Sequence, residues 1–289
     1  MITRRTLLKS SLLAVLGGFR LAEDRSVLGA SLAAASTRRK LNRIGLQLYT
    51  VRKELKADFD GTLAKVAAIG FHEVEFAGMF GRKPKEIRAT LDRLGLEAPS
   101  SHIVTQDIRD DWAKTIEEAL TLGNRYITCA WLSPEERKSI DDYKKLVDFF
   151  NSAGEVSRRS GLQFCYHNHE FEFEPLEGKI PYQVLLEDTD PNLVKMQMDL
   201  YMIIVAGQDP LHYLREHPGR FRMFHVTDMD DTPERSDTSV GKGVINFKRI
   251  FESAGLTGNE HFFVEEDESP GSMLESARFS FEYLRTLEF

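Results

Sequence analysis

The feature that most constrains this chain is a rhythm. Eight short apolar runs alternate with longer amphipathic ones between residues 44 and 287. The short runs, at 44–49, 74–76, 98–104, 126–131, 162–167, 194–200, 221–226 and 261–265, read as strands. The intervals carry apolar residues at helical spacing, at 59–69, 84–94, 111–122, 141–160, 182–187, 210–216, 247–254 and 272–287. Gly70, Gly95, Gly123, Gly161 and Gly255 stand where helix C-caps are expected. Strands joined by helical crossovers pair in parallel. Eight such units in about 250 residues favour a closed (β/α)8 TIM barrel, an α/β fold in one domain, over an open doubly wound sheet. No GxGxxG follows the first strand and no P-loop is present, which removes support for the nucleotide-binding folds.

The first 35 residues have a different character. Arg4 and Arg5 precede an apolar stretch at 10–19, and Ala33, Ala34 and Ala35 follow. This pattern reads as a twin-arginine export signal, cleaved to leave a barrel over 36–289 in the periplasm. No apolar run reaches the roughly 18 residues of a membrane span, so no stable membrane anchor is expected after cleavage. Removing five Lys/Arg and two Asp/Glu from totals of 38 and 45 leaves 33 against 43, a net charge of −10. Nucleic-acid binders normally show a basic face, so no nucleic-acid partner is expected. Cys129 and Cys165, on adjacent expected strands, read as two buried free thiols rather than a disulfide scaffold.

In such a barrel, chemistry gathers at the C-terminal strand ends. The polar residues expected there are Gln47, Glu75, His102, His167, His169, Asp199, His225, Asp228 and Glu265. Carboxylates and imidazoles on one rim are what a divalent metal requires. Asp199, His225 and Glu265 each follow an apolar run directly, and a buried carboxylate without a counter-charge is costly.

Taken in order, Gly45-Leu46-Gln47-Leu48-Tyr49, Ser101-His102-Ile103, Tyr166-His167-Asn168-His169, Met198-Asp199-Leu200, Phe224-His225-Val226-Thr227-Asp228, Gly241-Lys242-Gly243 and Phe263-Val264-Glu265 resemble the xylose isomerase-like TIM-barrel superfamily, and its exported sugar phosphate isomerase/epimerase branch most closely. The resemblance implies one divalent cation (Mn, Zn or Mg), held by Glu, Asp, His and Glu from strands five to eight. Asp199, His225 and Glu265 match the last three. Strand five departs: His167-Asn168-His169 stands where many relatives read Glu-Asn-His, which leaves an imidazole or Glu172 as the fourth ligand. In epimerases of the family the strand-five and strand-eight glutamates form the acid/base pair, so here Glu265 with His167 or His169 is expected to move protons. Gln47, Glu75, His102, Asp228 and Lys242 are expected to bind substrate. The implied activity is a metal-dependent sugar isomerase or epimerase, acting by proton abstraction next to a carbonyl. Export and the acidic body point to a non-phosphorylated keto-sugar as the small-molecule partner. The histidine substitution keeps a second reading in view, a lyase that opens 3-keto-glycosides by β-elimination. A non-catalytic periplasmic sugar-binding barrel is the rival of a different class.

Overall fold

In the computed structural model, which describes residues 39–256, 260–268 and 271–289, eight parallel strands close into a barrel. They are β1 (Gly45–Gln47), β2 (Glu73–Ala77), β3 (Glu97–Val104), β4 (Tyr126–Trp131), β5 (Gln163–His167), β6 (Val194–Asp199), β7 (Phe221–Val226) and, after a small antiparallel pair β8 (Asp228–Met229) and β9 (Asp237–Thr238), β10 (His261–Val264). Closure comes from β1 pairing with both β2 and β10. The twin-arginine segment lies outside the described residues.

Helices cover the barrel: α1 (Arg52–Ala57), α2 (Phe59–Ile69), α3 (Pro84–Leu94), α4 (Thr105–Leu122), α5 (Ile140–Arg159), α6 (Pro181–Asp188), α7 (Leu200–Val205), α8 (Pro210–Glu216), α9 (Phe247–Ser253) and α10 (Met273–Thr286). Local signals set their ends. Asp58 caps α2 by accepting from Gly61 N, and Ser139 caps α5 by accepting from Asp142 N. Pro84 opens α3, where the missing N–H costs nothing. The helix expected from 111 starts earlier, at Thr105, and bends at Asp111, whose backbone is extended (φ −157°). Helices α1 and α7 and the β8–β9 pair are additional to the expected elements.

Strand alternation divides the residues between two cores. One face of each strand packs against the helices, with Leu46, Val74, Phe76, Ile127, Phe164 and Tyr166 fully buried. The other fills the barrel in layers. Its middle is closed by Cys165, Met223 and Phe263, all fully buried, with Tyr126 packed against them. Gly45 makes this possible, because a Cβ there would lie 2.5 Å from the Phe263 ring. The apolar plug separates the mouth at the C-terminal strand ends from the mouth at the N-terminal ends. Both cysteines are free and buried. Thr128 pairs with Cys165 and Cys129 with Tyr166, so the two thiols sit on opposite faces of the sheet and cannot be bridged.

Candidate functional site

Alternation along β6 builds one wall of the site. Lys195, Gln197 and Asp199 are spaced two apart and share the inner face. Asp199 ends the strand and also begins α7, accepting from Met202 N at 2.9 Å. The neighbouring strands end in His167, His225 and, just past β10, Glu265. His167, Asp199, His225 and Glu265 each offer a ligand atom, all within 4.8 Å of one another.

The donor set suits a divalent cation. Two carboxylates match its charge, and imidazoles with carboxylates serve Zn, Mn and similar ions. Burial pushes the Asp199 carboxyl up to about 7, so a positive charge beside it would be strongly favourable. Full burial opposes charge on His225 too, yet Glu265 and Glu75 hold its imidazole well above the ordinary value, so a cation bound at Nδ1 would have to replace the proton shared with Glu265. His225 lies between those carboxylates, with Nδ1 2.6 Å from Glu265 and Nε2 2.6 Å from Glu75. Glu75 therefore orients the imidazole from behind, as outer carboxylates commonly do in metal sites. A second grouping, His102, His167 and His225, brings no carboxylate to neutralise a cation.

Gln197 fixes which nitrogen of each neighbouring histidine is free. Its amide nitrogen donates to Glu75 Oε1 at 2.8 Å, which turns its Oε1 toward two imidazoles. That oxygen accepts from His167 Nδ1 at 3.1 Å and His102 Nε2 at 2.7 Å. His167 then carries its proton on Nδ1 and keeps the Nε2 lone pair, 4.0 Å from Asp199 Oδ2, for ligation. Gln47 adds a further donor to Glu75, at 2.8 Å. Burial alone would raise the Glu75 pKa, but His102 and His225 hold it well below the carboxylate range.

Above the cluster opens a cavity of about 660 Å³, lined by Tyr49, His102, Trp131, His167, His169, Glu265 and Asp267 among others. Among the described residues no protein group hydrogen-bonds the His169 ring, and its Nδ1 is buried without a partner. The ring stacks on Phe171 (5.3 Å, 8°) and meets Trp131 edge-on at 5.1 Å. Burial lowers its pKa to about 4, so it is neutral at pH 7. Burial and the neighbouring Glu265 raise Asp267 to about 6. Trp131 and Tyr49 stand exposed at the rim, with Arg137 over Trp131 and Arg52 over Tyr49.

The structure thus brings together Asp199, His225, Glu265, His167, His169 and His102, with Glu75 in direct contact behind His225 and His102 and Gln47 bonded to it, and places Glu172, Asp228 and Lys242 elsewhere. Glu172 does not reach the cluster. A 3-10 turn at Phe171–Phe173 buries its carboxylate under β5, where it accepts from Tyr166 Oη and from His169 N. The strand-five member of the cluster is His167. Gln47 and Glu75 lie beneath the pocket rather than on its wall. Asp228 serves the backbone: its carboxylate accepts from the N–H groups of Met229, Gly241, Gly243 and Ile245. Gly243 must be glycine, since a Cβ would sit 2.2 Å from Met229 O. The Gly241-Lys242-Gly243 motif is this cradled loop, and Lys242 Nζ lies over the Phe279 ring at 4.6 Å, outside the pocket. Gln197 and Trp131 do not stand out in the sequence, and Asp267, which reads there as part of a solvated acidic rim, lines the pocket. Gln197 is readable in principle as the inward position two before Asp199, but a single Gln carries no chemical signature.

Comparisons with known proteins agree with this architecture. A family model described as xylose isomerase-like TIM barrel matches residues 63–287. An inosose dehydratase of Geobacillus thermodenitrificans is 27% identical over 164 residues, 50% of this chain and 54% of its own; the chain spans about half the length of that curated relative. A sugar phosphate isomerase/epimerase of Parabacteroides distasonis superposes with TM-score 0.75 at 26% identity, over 85% of this chain and 98% of its own. IolI, solved with a bound zinc atom, superposes with TM-score 0.66 at 13% identity, over 83% of this chain and 95% of its own, a likeness of fold alone.

Proposed function

The chain belongs to the xylose isomerase-like TIM-barrel family, and from that premise we propose that it is a metal-dependent lyase of keto-sugars or keto-cyclitols. The reaction takes a proton from the carbon beside a carbonyl and expels the oxygen substituent on the next carbon. His167, Asp199, His225 and Glu265 would hold a divalent cation, which when bound would supply Lewis-acid polarisation of the carbonyl. The chain's own groups do the rest. Glu75 and Gln197 hold two of the liganding imidazoles in orientation. His169, neutral and unengaged, accepts the proton. It then returns that proton to the departing oxygen, so one imidazole serves as base and acid in turn. Trp131 and Tyr49 offer apolar faces to a sugar ring at the rim.

The observation that carries this reading is the single unengaged imidazole beside the cluster. A strand-five carboxylate would provide a second acid/base group opposite Glu265, as an epimerase working on both faces of a carbon requires. That position is His167, turned toward Gln197 and Asp199. The dehydratase relative supports elimination as well. Isomerisation or epimerisation remains the second reading, supported by the isomerase/epimerase neighbour.

Product analysis by NMR in D₂O separates the readings. The Mn²⁺-loaded chain is offered ketoses, inososes and 3-keto-glycosides. Elimination predicts loss of the proton beside the carbonyl together with release of the β-substituent. Deuterium incorporation with all substituents retained would establish the isomerase instead. Sugar binding without turnover of any class would establish the non-catalytic barrel. On the true substrate, His169→Ala is expected to lower turnover roughly 10²-fold with metal content unchanged.

A further inference from the structure

The opposite mouth of the barrel has its own chemistry. Five cations from separate elements line one open cavity of about 670 Å³: Arg43 ahead of β1, Arg125 ahead of β4, Arg158 at the end of α5, Lys195 in β6 and Arg222 in β7. Among the described residues, Glu260 is the one carboxylate on the same lining. This concentration occurs in a chain whose formal net charge is −7, so composition does not explain it.

The cations are arranged by depth. Lys195 and Arg222 are half-buried, and Arg125 and Arg158 are exposed. Arg43 is already engaged, 2.8 Å from Glu73 and 3.2 Å from Glu97. Lys195 donates to Gly219 O at 3.0 Å. Burial and the nearby guanidiniums of Arg222 and Arg220 hold the Lys195 pKa below its ordinary value, which marks a field of like charge around the inner cations. Partly desolvated like charges repel, and a bound counter-charge relieves the cost.

We propose that the N-terminal mouth of the barrel binds a small multivalent oxyanion of the phosphate class, with Lys195 and Arg222 as inner contacts and Arg125 and Arg158 at the rim. Several cations facing one cavity call for a ligand with several charged oxygens. Guanidinium forks match tetrahedral oxyanions, and the ammonium adds a point charge. A concave space of this volume fits a small ligand. Cys165, Met223, Phe263 and Tyr126 close the barrel above it, so the site is separate from the pocket over His225 and takes a different ligand.

Titration calorimetry of the full chain with inorganic phosphate and with sulfate, at constant ionic strength against chloride, tests this. Saturable binding of one anion per chain is expected. It should weaken about tenfold or more in Lys195→Gln/Arg222→Gln, the scale of losing charge-assisted hydrogen bonds, and persist in Asp199→Asn. Binding that is unchanged in the double variant, lost in Asp199→Asn, or equalled by chloride would overturn the proposal. If the double variant does not fold, the exposed pair Arg125→Gln/Arg158→Gln decides: weaker binding supports the site and equal binding overturns it.

Discussion

Gln197 shows how one side chain can organise a site without touching substrate. Its amide is fixed by the Glu75 carboxylate, and its oxygen sets the tautomers of His102 and His167. Gln197→Met keeps the size and removes the acceptor. Metal affinity should fall about 10- to 100-fold, the usual cost of losing an outer-shell contact, as measured by competition with a chelator; unchanged affinity would show that packing alone orients His167. Glu172 makes the second prediction at this scale. Burial raises its pKa from 4.5 to about 8. Between those values the folded chain keeps a proton that the unfolded chain has released, so this group's contribution to stability falls as pH rises from about 4.5 to 8 and is flat beyond. Urea unfolding at pH 5 and pH 8 should show a smaller loss across that window in Glu172→Gln than in the parent, and an identical loss would contradict the shift. Asp199, His225 and Glu265 were legible in the sequence because each follows an apolar run at a strand end. The choice between His167 and Glu172 was not, because it depends on how the turn at Phe171–Phe173 directs a side chain. Asp228 shares the rim motif with His225, and its role depends on contacts with a loop more than ten residues on.

Elements bounded by strong local signals matched their expected limits, as with Phe59–Ile69 between Asp58 and Gly70 and Pro84–Leu94 between its proline and Gly95. The segment Leu200–Val205 did not stand out. Its six residues are apolar or aromatic and continue the run of β6, so periodicity cannot say where the strand stops. The break is Asp199, whose side chain caps the helix while it faces the cluster. Helix α4 began early because Asp107 Oδ2 accepts from Val104 N, an N-terminal bond formed ahead of the expected start at 111. The barrel interior supplies the test at this scale. Gly45→Ala places a methyl against Phe263 inside the apolar plug. Overpacking of this kind costs about 1–3 kcal/mol, to be read from chemical denaturation; a stability equal to the parent's would show that Phe263 moves aside freely.

Closure of the whole barrel was legible from the strand count, because eight parallel strands in this length leave few other arrangements. The basic mouth was not, because its cations come from five elements far apart in sequence and only closure gathers them. Reading residues 1–35 as an export signal predicts that protein recovered from a periplasmic fraction begins near residue 36 on N-terminal sequencing, and an intact Met1 in the cytoplasmic fraction would contradict it. The molecule as described has two mouths divided by Cys165, Met223 and Phe263, with proton chemistry assigned to the one that carries His169 and the carboxylate–imidazole cluster. That assignment rests on the metal, and elemental analysis tests it most directly. Asn caps a helix as well as Asp does, so Asp199→Asn should fold while losing a charged ligand. The parent chain and Glu172→Gln are expected to carry one divalent cation per chain and Asp199→Asn essentially none. Full metal content in Asp199→Asn, with its fold intact by circular dichroism, would contradict the account.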